Sequence, residues 1–462
     1  MHTKEPIRLY DKSKIDKSNL MFTNHALFVL LIPVIIEQFL NSFMGMADTM
    51  MVTKIGSAAI SAVSLVDSIN VLMIQVFAAL AAGGTIICSQ YLGRGDTKGS
   101  RRAAEQVTLA VFVISVTISI SCILFHRPLL QVIFGEIEKE VMRDSIIYFQ
   151  ITAFSFPFIA LFTAGSSFYR AGGESRFPMI VSVISNIINV AGNAVFIFLF
   201  HMGVKGAALS TLLSRIFCAA VLFYYLRRPK QPIVINHYSK IRPDLPLILS
   251  ILKIGVPSGI ENGMFQFGKL AIQSSVSTLG TAAIAAQAMT AILENISGIT
   301  AFGIGIGMMT VVGQCIGARR QEEARYYIVK LSALSEIFII VCCILVFAIT
   351  RPVMRLSGME AESAAMCLEM MTAITIVKPL IWMFSFIPVY GMRAAGDVRF
   401  SMIVSTLSMW LCRVFLCSYL IHFQGFGPIA VWIGMFTDWS IRGILFTMRF
   451  LSGKWAQKKV ID

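Results

Sequence analysis

The chain has 462 residues, is 56% hydrophobic and only 14% charged, and has a mean hydropathy of +0.75. Soluble domains run near a quarter charged, so these figures exclude a soluble enzyme and a disordered chain alike and describe an all-α polytopic membrane protein. The net charge of +14 would point to nucleic acid in a soluble domain, but here it belongs to basic loops on one membrane face, and no nucleic-acid partner is expected.

A helix crossing the hydrocarbon core needs about 20 apolar residues. Twelve candidates follow in order, near 26–49, 60–88, 103–125, 145–168, 177–200, 206–226, 247–276, 283–312, 327–349, 364–390, 400–422 and 427–448. Residues 1–25 are polar and charged, with no short apolar stretch and small-residue cleavage site after them, so they read as a cytoplasmic tail rather than a signal peptide. Lys4, Arg8, Lys12, Lys14 and Lys17 lie in that tail. The even-numbered loops add Arg94, Lys98, Arg101, Arg102, Arg170, Arg176, Arg227, Arg228, Lys230, Lys240, Arg242, Arg319, Arg320, Arg325, Lys330, Arg393 and Arg399. The odd loops hold few, among them Lys54, Arg127 and Lys205. Both termini are therefore expected in the cytoplasm of a cell-membrane protein. Segment 227–246, charged and carrying Pro229, Pro232, Pro243 and Pro246, breaks the helical pattern and reads as a cytoplasmic linker. It separates a first lobe, 26–226, from a second, 247–448, with a carboxyl tail at 449–462.

The second half repeats the first. Pro33-x-x-Ile36-Glu37 recurs as Pro257-x-x-Ile260-Glu261, and Gly56-x-Ala58-Ala59-Ile60 as Gly280-x-Ala282-Ala283-Ile284. Gln90-x-x-Gly93 recurs as Gln314-x-x-Gly317, and Arg170-Ala171-x-Gly173-Glu174 as Arg393-Ala394-x-Gly396-Asp397. With six spans each, the halves share one orientation. That predicts two six-helix bundles related by a pseudo-two-fold along the membrane normal, an architecture suited to alternating access.

Ionisable groups at membrane depth are costly and call for a partner, a cavity or a function. In the first span Glu37, Asn41 and Asp48 share one helical stripe; in the fifth, Ser182, Asn186, Asn189 and Asn193 share another. Lipid satisfies neither, so the stripes face each other or a wet cavity. In the repeat Asp48 becomes Ile272, Asn189 becomes Cys412 and Asn193 becomes Leu416, so the constellation is confined to one half. A carboxylate with amide carbonyls is a hard oxygen set, making Asp48, Asn189 and Asn193 the candidate cation or proton site. The competing reading makes Asp48 an end-cap and the asparagines helix–helix glue. Glu37 and Glu261 recur symmetrically, which favours a scaffold role with neighbouring backbone. Glu294, Lys269, Lys378, Arg413, Asp438 and Arg442 mix acid and base in the second half, so internal pairing is expected there. The functional alternative has Glu261 or Glu294 meeting a cationic substrate.

No nucleotide-binding Gly-x-x-x-x-Gly-Lys-Ser/Thr occurs, which leaves an ion gradient or facilitated movement. The nine cysteines mostly sit in apolar runs and read as small apolar side chains. Gly303-x-Gly305-x-Gly307 reads as close helix packing.

With Pro33, Ala47-Asp48-Thr49, Gly56, Gln90-Tyr91-Leu92-Gly93, Val312-Gly313-Gln314, Arg170-Ala171-Gly172-Gly173 and Arg393-Ala394-Ala395-Gly396-Asp397, the chain resembles the multidrug and toxic compound extrusion (MATE) family over about residues 25–450. The resemblance implies two six-helix lobes in a V, and export of cationic or amphipathic compounds in exchange for Na+ or H+. It places the family's first-span aspartate at Asp48 and its fifth-span Asn-x-x-x-Asp at Asn189-x-x-x-Asn193, where the second acid is absent. The seventh-span glutamate of its sodium-coupled branch falls on Phe265. The expected protein is a monomeric antiporter without a cofactor. A lipid-linked precursor flippase of the same superfamily is the second reading, and a membrane-embedded enzyme, which lacks its paired acidic motifs here, a remote third.

Overall fold

The computed structural model describes residues 9–16, 18–53, 55–135, 137–229, 231–236, 238 and 241–461, and of Met46, Ala47 and Thr49 the backbone alone. The charges expected to orient the chain at Lys4, Arg8, Lys17, Lys54, Lys230 and Lys240 fall outside the described residues.

Among the described residues every regular element is helical. The first half runs α1 (Asn24–Val52), α2 (Ser57–Gly93), α3 (Thr97–Leu124), α4 (His126–Phe134), α5 (Lys139–Phe154), α6 (Phe156–Ala171), α7 (Arg176–Asn193) and α8 (Gly203–Tyr225). The second runs α9 (Leu245–Ser277), α10 (Thr281–Gly317), α11 (Gln321–Leu356), α12 (Ala361–Ala394), α13 (Val398–Ser408), α14 (Leu416–Gln424) and α15 (Ile429–Leu451). Ten spans are long and apolar enough to cross a membrane, and eleven when α5 and α6 count as one bent span. The twelfth is α9. Lys253, Glu261 and Lys269 lower its hydropathy, but its 33 residues reach about 50 Å at 1.5 Å per residue. Each half is therefore a bundle of six spans.

The repeated motifs form repeated turns. Gly56 and Gly280, with φ of 148° and 95°, precede α2 and α10. Gly173 and Gly396, at 83° and 98°, close the arginine-containing turns after α6 and α12. Side chains avoid this half of φ space, which accounts for glycine at all four positions. The third turn departs from the pattern. Gly95 has φ 79°, and its repeat counterpart Arg319 adopts 60° without being glycine.

The halves also differ in continuity. The span expected at 145–168 breaks at Ser155 into α5 and α6, bent by 42°, with Pro157 in the first turn of α6. Its counterpart α12 is continuous in spite of Pro379 and Pro388. The fifth span of each half winds into a π-helix, Ala194–Leu199 in the first and Met409–Phe415 in the second. One π segment starts just after Asn193 and the other ends just before Leu416, its repeat counterpart. Such windings recur at functional sites. The amphipathic α4, with Val132 and Ile133 exposed, was not foreseen. Its Arg127-Pro128 counterpart, Arg351-Pro352, lies inside the unbroken α11.

The chain packs into two compact units. One is Asn24–Gly259; the other joins the described residues before Asn24 to Ile260 and all that follows. These borders differ from lobes drawn at 26–226 and 247–448, and the packing explains why. The start of α9 lies against α2 backbone to backbone: a Cβ on Gly83 would sit 3.1 Å from the Ile251 carbonyl oxygen, and one on Gly255 3.1 Å from Leu80 Cα. Linker residues join the same unit, because Gln106 of α3 donates to the Arg242 carbonyl and accepts from the Asp244 amide, both at 2.9 Å. In the other unit α11 holds the tail. Tyr327 donates to the Phe22 carbonyl at 2.7 Å, and Glu323 accepts from the Met21 amide at 2.6 Å. The border falls two residues after Pro257, whose missing N–H weakens the helix at that point. Within α10, a Cβ at Gly305 would meet the Tyr390 ring at 2.6 Å, the close helix packing read from that glycine-rich stretch.

Candidate functional site

In the first half, α1 and α7 bring the three predicted residues together. Asn193 donates from Nδ2 to Asp48 Oδ1 at 2.6 Å, and the same nitrogen lies 3.4 Å from Asn189 Oδ1. Asn189 donates to Thr211 Oγ1 at 3.2 Å, and its carbonyl accepts from Ser210 at 2.5 Å. Asn189 and Asn193 are 1% exposed, whereas Asp48 is half-buried. Asn193 Oδ1 is buried without a hydrogen-bond partner among the described residues. The stripe spacing accounts for the meeting, since Asn189 and Asn193 are one turn apart on one face of α7. Asn41 is exposed and Asn186 half-buried; among the described residues neither hydrogen-bonds to the three.

Three residues that the sequence reading passed over surround this site. Asp67 of α2 accepts from Asn70 at 3.1 Å and from the Tyr148 hydroxyl at 3.3 Å. Arg215 of α8 donates to Ser155 Oγ at 2.6 Å, at the break between α5 and α6. Asp48, Asp67, Tyr148 and Arg215 lie within electrostatic reach of one another. Asp67, Tyr148 and Arg215 each sit in a different span and belong to no stripe, so the one available signal was an ionisable residue at membrane depth.

Glu37 and Glu261 meet equivalent partners. Arg170 Nη1 donates to Glu37 Oε2 at 3.2 Å, and Arg393 Nη2 reaches both oxygens of Glu261 at 2.7 Å. Arg170 and Arg393 are themselves repeat counterparts. The glutamates' partners are thus guanidinium groups rather than the backbone expected near the prolines. A charge-assisted hydrogen bond holds such a pair more firmly than a bond to a backbone carbonyl or amide does.

The second half pairs most of its charges. Lys378 is 0% exposed and donates to Glu294 Oε1 at 2.6 Å, to Ser297 Oγ at 2.8 Å and to the Glu294 carbonyl at 3.0 Å. Glu294 thus has its own ammonium. Asp438 accepts from Ser408 at 2.5 Å, while Arg413 and Arg442 stand 3.6 and 3.8 Å from its other oxygen. Phe265 lies beneath both arginines, 5.0 and 5.7 Å from their guanidinium carbons. All nine cysteines are free.

The sequence pattern of MatE matches the chain twice, over residues 33–195 and 257–419, and the two matches are set apart by the repeat spacing. The chain belongs to the MatE family. It is 26% identical to the probable multidrug resistance protein NorM of Thermotoga maritima, over 97% of both chains. It is 28% identical to the uncharacterized transporter YisQ of Bacillus subtilis, over 94% of this chain and 95% of the relative. The multidrug export protein MepA of Staphylococcus saprophyticus is 21% identical over 87% of each. Among solved structures, a multidrug resistance MATE transporter of the MOP superfamily in an outward-facing conformation superposes with a TM-score of 0.86. That match has 19% identity and covers 92% of this chain and 96% of the other. A MATE structure in a bent conformation gives 0.84 over 94% and 97%, also at 19% identity. At that identity the likeness is one of fold. This MatE protein is accordingly a multi-pass membrane protein.

Proposed function

We propose that this MatE protein is a secondary active efflux transporter. It exports cationic or amphipathic organic compounds in exchange for Na+ or H+ by alternating access, with both termini in the cytoplasm. The observation that carries the reading is the Asp48–Asn193–Asn189 chain, with the Asn193 carbonyl oxygen buried and unpartnered. A buried acceptor without a donor costs about 1–3 kcal/mol. A cation bound beside Asp48 offsets that cost, and Asp48, Asn189, Asn193 and Thr211 supply the hard oxygens that Na+ takes. A proton carried by the Asp48 carboxyl serves the same role with one carboxylate. Asp67 supplies from α2 a second acid near the site, where the family pattern has one at the Asn193 position. Arg215 sets the opposing charge.

The multidrug names of the relatives support the drug-efflux part of this reading. Purified protein in proteoliposomes, loaded with a fluorescent organic compound, tests it. Separate Na+ and H+ gradients are imposed, with Asp48→Asn alongside. Efflux driven by one gradient and lost in the variant establishes the antiporter and names its ion. Efflux indifferent to both gradients from folded protein overturns it.

A further inference from the structure

The two halves carry opposite internal charge. Setting aside the Glu37–Arg170 pair, the first half gathers Asp48 and Asp67 against Arg215, so acids are in excess. In the second half Glu294 is matched by Lys378, and the single carboxylate of Asp438 faces both Arg413 and Arg442. Lys269 of α9 has no carboxylate within ion-pair distance among the described residues, and the charges it feels are Arg413 and Glu294. Among the described residues no charged neighbour acts on Glu336 of α11. Lys269 lies one turn from Phe265, over which both arginines stack, so the group of Lys269, Arg413, Arg442 and Asp438 holds three cations and one anion.

Lys269 is exposed, whereas Arg413 and Arg442 are 3% and 2% exposed. Arg413 Nε, Arg442 Nε, Arg442 Nη1 and Trp439 Nε1 are buried with no hydrogen-bond partner among the described residues; the one unpartnered acceptor beside them, Asp438 Oδ2, stands 3.6 and 3.8 Å from the arginines, so the buried donors outnumber it. Buried guanidinium donors without acceptors are expensive, and Arg–aromatic stacking over Phe265 and Phe386 compensates the charge but not the N–H groups. The repeat supplies a control. Lys269 corresponds to Gly45 and Arg413 to Val190, so the bundle architecture does not require cations here. A lysine facing lipid at this depth would also be costly.

We propose that this cluster binds the anionic group of the transported compound, a carboxylate or phosphate on an amphipathic molecule. Lys269 makes the first contact and Arg413 supplies the field behind it. Within the amphipathic compounds of the proposed function, the substrate class is then amphiphiles that carry an anionic group, zwitterions included. This inference rests on the transporter reading, but its test is equilibrium binding and needs no gradient.

The experiment measures fluorescence polarisation of a rhodamine carrying a free carboxylate, and of its methyl ester, on purified protein in uncharged detergent. The carboxylate form is expected to bind more tightly. Loss of one charge-assisted contact in Lys269→Gln should weaken that form roughly tenfold and leave the ester unchanged, with Lys269→Arg retaining the preference. Competition by short-chain phosphatidylglycerol but not short-chain phosphatidylcholine would support the site and identify a lipid headgroup as its occupant; competition by neither would support it with a non-lipid anion. Equal binding of both dyes, preference for the ester, binding of neither, or a preference unaltered in Lys269→Gln overturns the anion site. The transporter reading falls separately, on gradient-indifferent efflux.

Discussion

Asn193 points its amide nitrogen at Asp48, 2.6 Å away, and its side-chain carbonyl oxygen is buried with no partner among the described residues. A helix–helix contact made for adhesion alone would satisfy both ends of the amide. The half-satisfied amide beside a half-buried carboxylate is the observation on which the proposed coupling site rests.

Replacing Asp48 by Asn removes the carboxylate and keeps the shape. Gradient-driven efflux in proteoliposomes should fall to background while detergent-solubilised protein keeps its elution profile and melting temperature within a few degrees. Retained coupling would sink the assignment of Asp48.

Asn193→Asp restores the acid that the family pattern carries at this position. A second carboxylate raises the field at the site, so the variant should bind the coupling cation more tightly or shift the pH optimum of transport. The check is a titration of transport against Na+ and against pH; unchanged curves would place Asn193 outside the site.

Asp67→Asn tests the acid contributed from α2. An electrostatic role predicts an altered ion or pH dependence of transport with folding retained. A structural role through the Tyr148 hydroxyl predicts lower thermal stability and an unaltered ion dependence.

The paired scaffolds should behave differently. Arg393→Gln leaves Glu261, 7% exposed at its side chain, without its fork. Breaking a buried pair by removing one partner costs about 3 kcal/mol at the lower end of the usual range, visible as a lower melting temperature. Arg393→Gln with Glu261→Gln should cost less than the sum of the single changes, since neither then strands a charge.

Arg319 holds a left-handed backbone where its repeat counterpart is Gly95. Arg319→Gly should therefore stabilise the turn by up to about 1 kcal/mol, read as a small rise in melting temperature. A fall would mean that the Arg319 side chain contributes more than the strain costs.

Much of this protein was legible from the chain alone. Solvation is a local property, so the spans follow from hydropathy, and the repeated Pro–Glu and Arg–Ala motifs disclose two equivalent halves. Helical period is local too, which is why Asn189 and Asn193 could be placed on one face of α7 before any neighbour was known. Which faces meet is not local. Glu294 and Lys378 lie 84 positions apart, and the sequence offered several acids and bases for each; the tertiary structure chose one pairing.

Asp67, Tyr148 and Arg215 joined the neighbourhood of Asp48 in the same way, each from a span with no polar stripe. The tail and the start of α9 were assigned by packing against α11 and α2, across borders that hydropathy had drawn elsewhere. The break at Ser155 and the two π windings emerged only in the structure. The break has a local contributor in Pro157, two residues on, and a tertiary one in Arg215 donating to Ser155, whereas the π segments read in sequence as continuous apolar helix. Local chemistry set what had to be buried and with what period; long-range packing set which charges share a site.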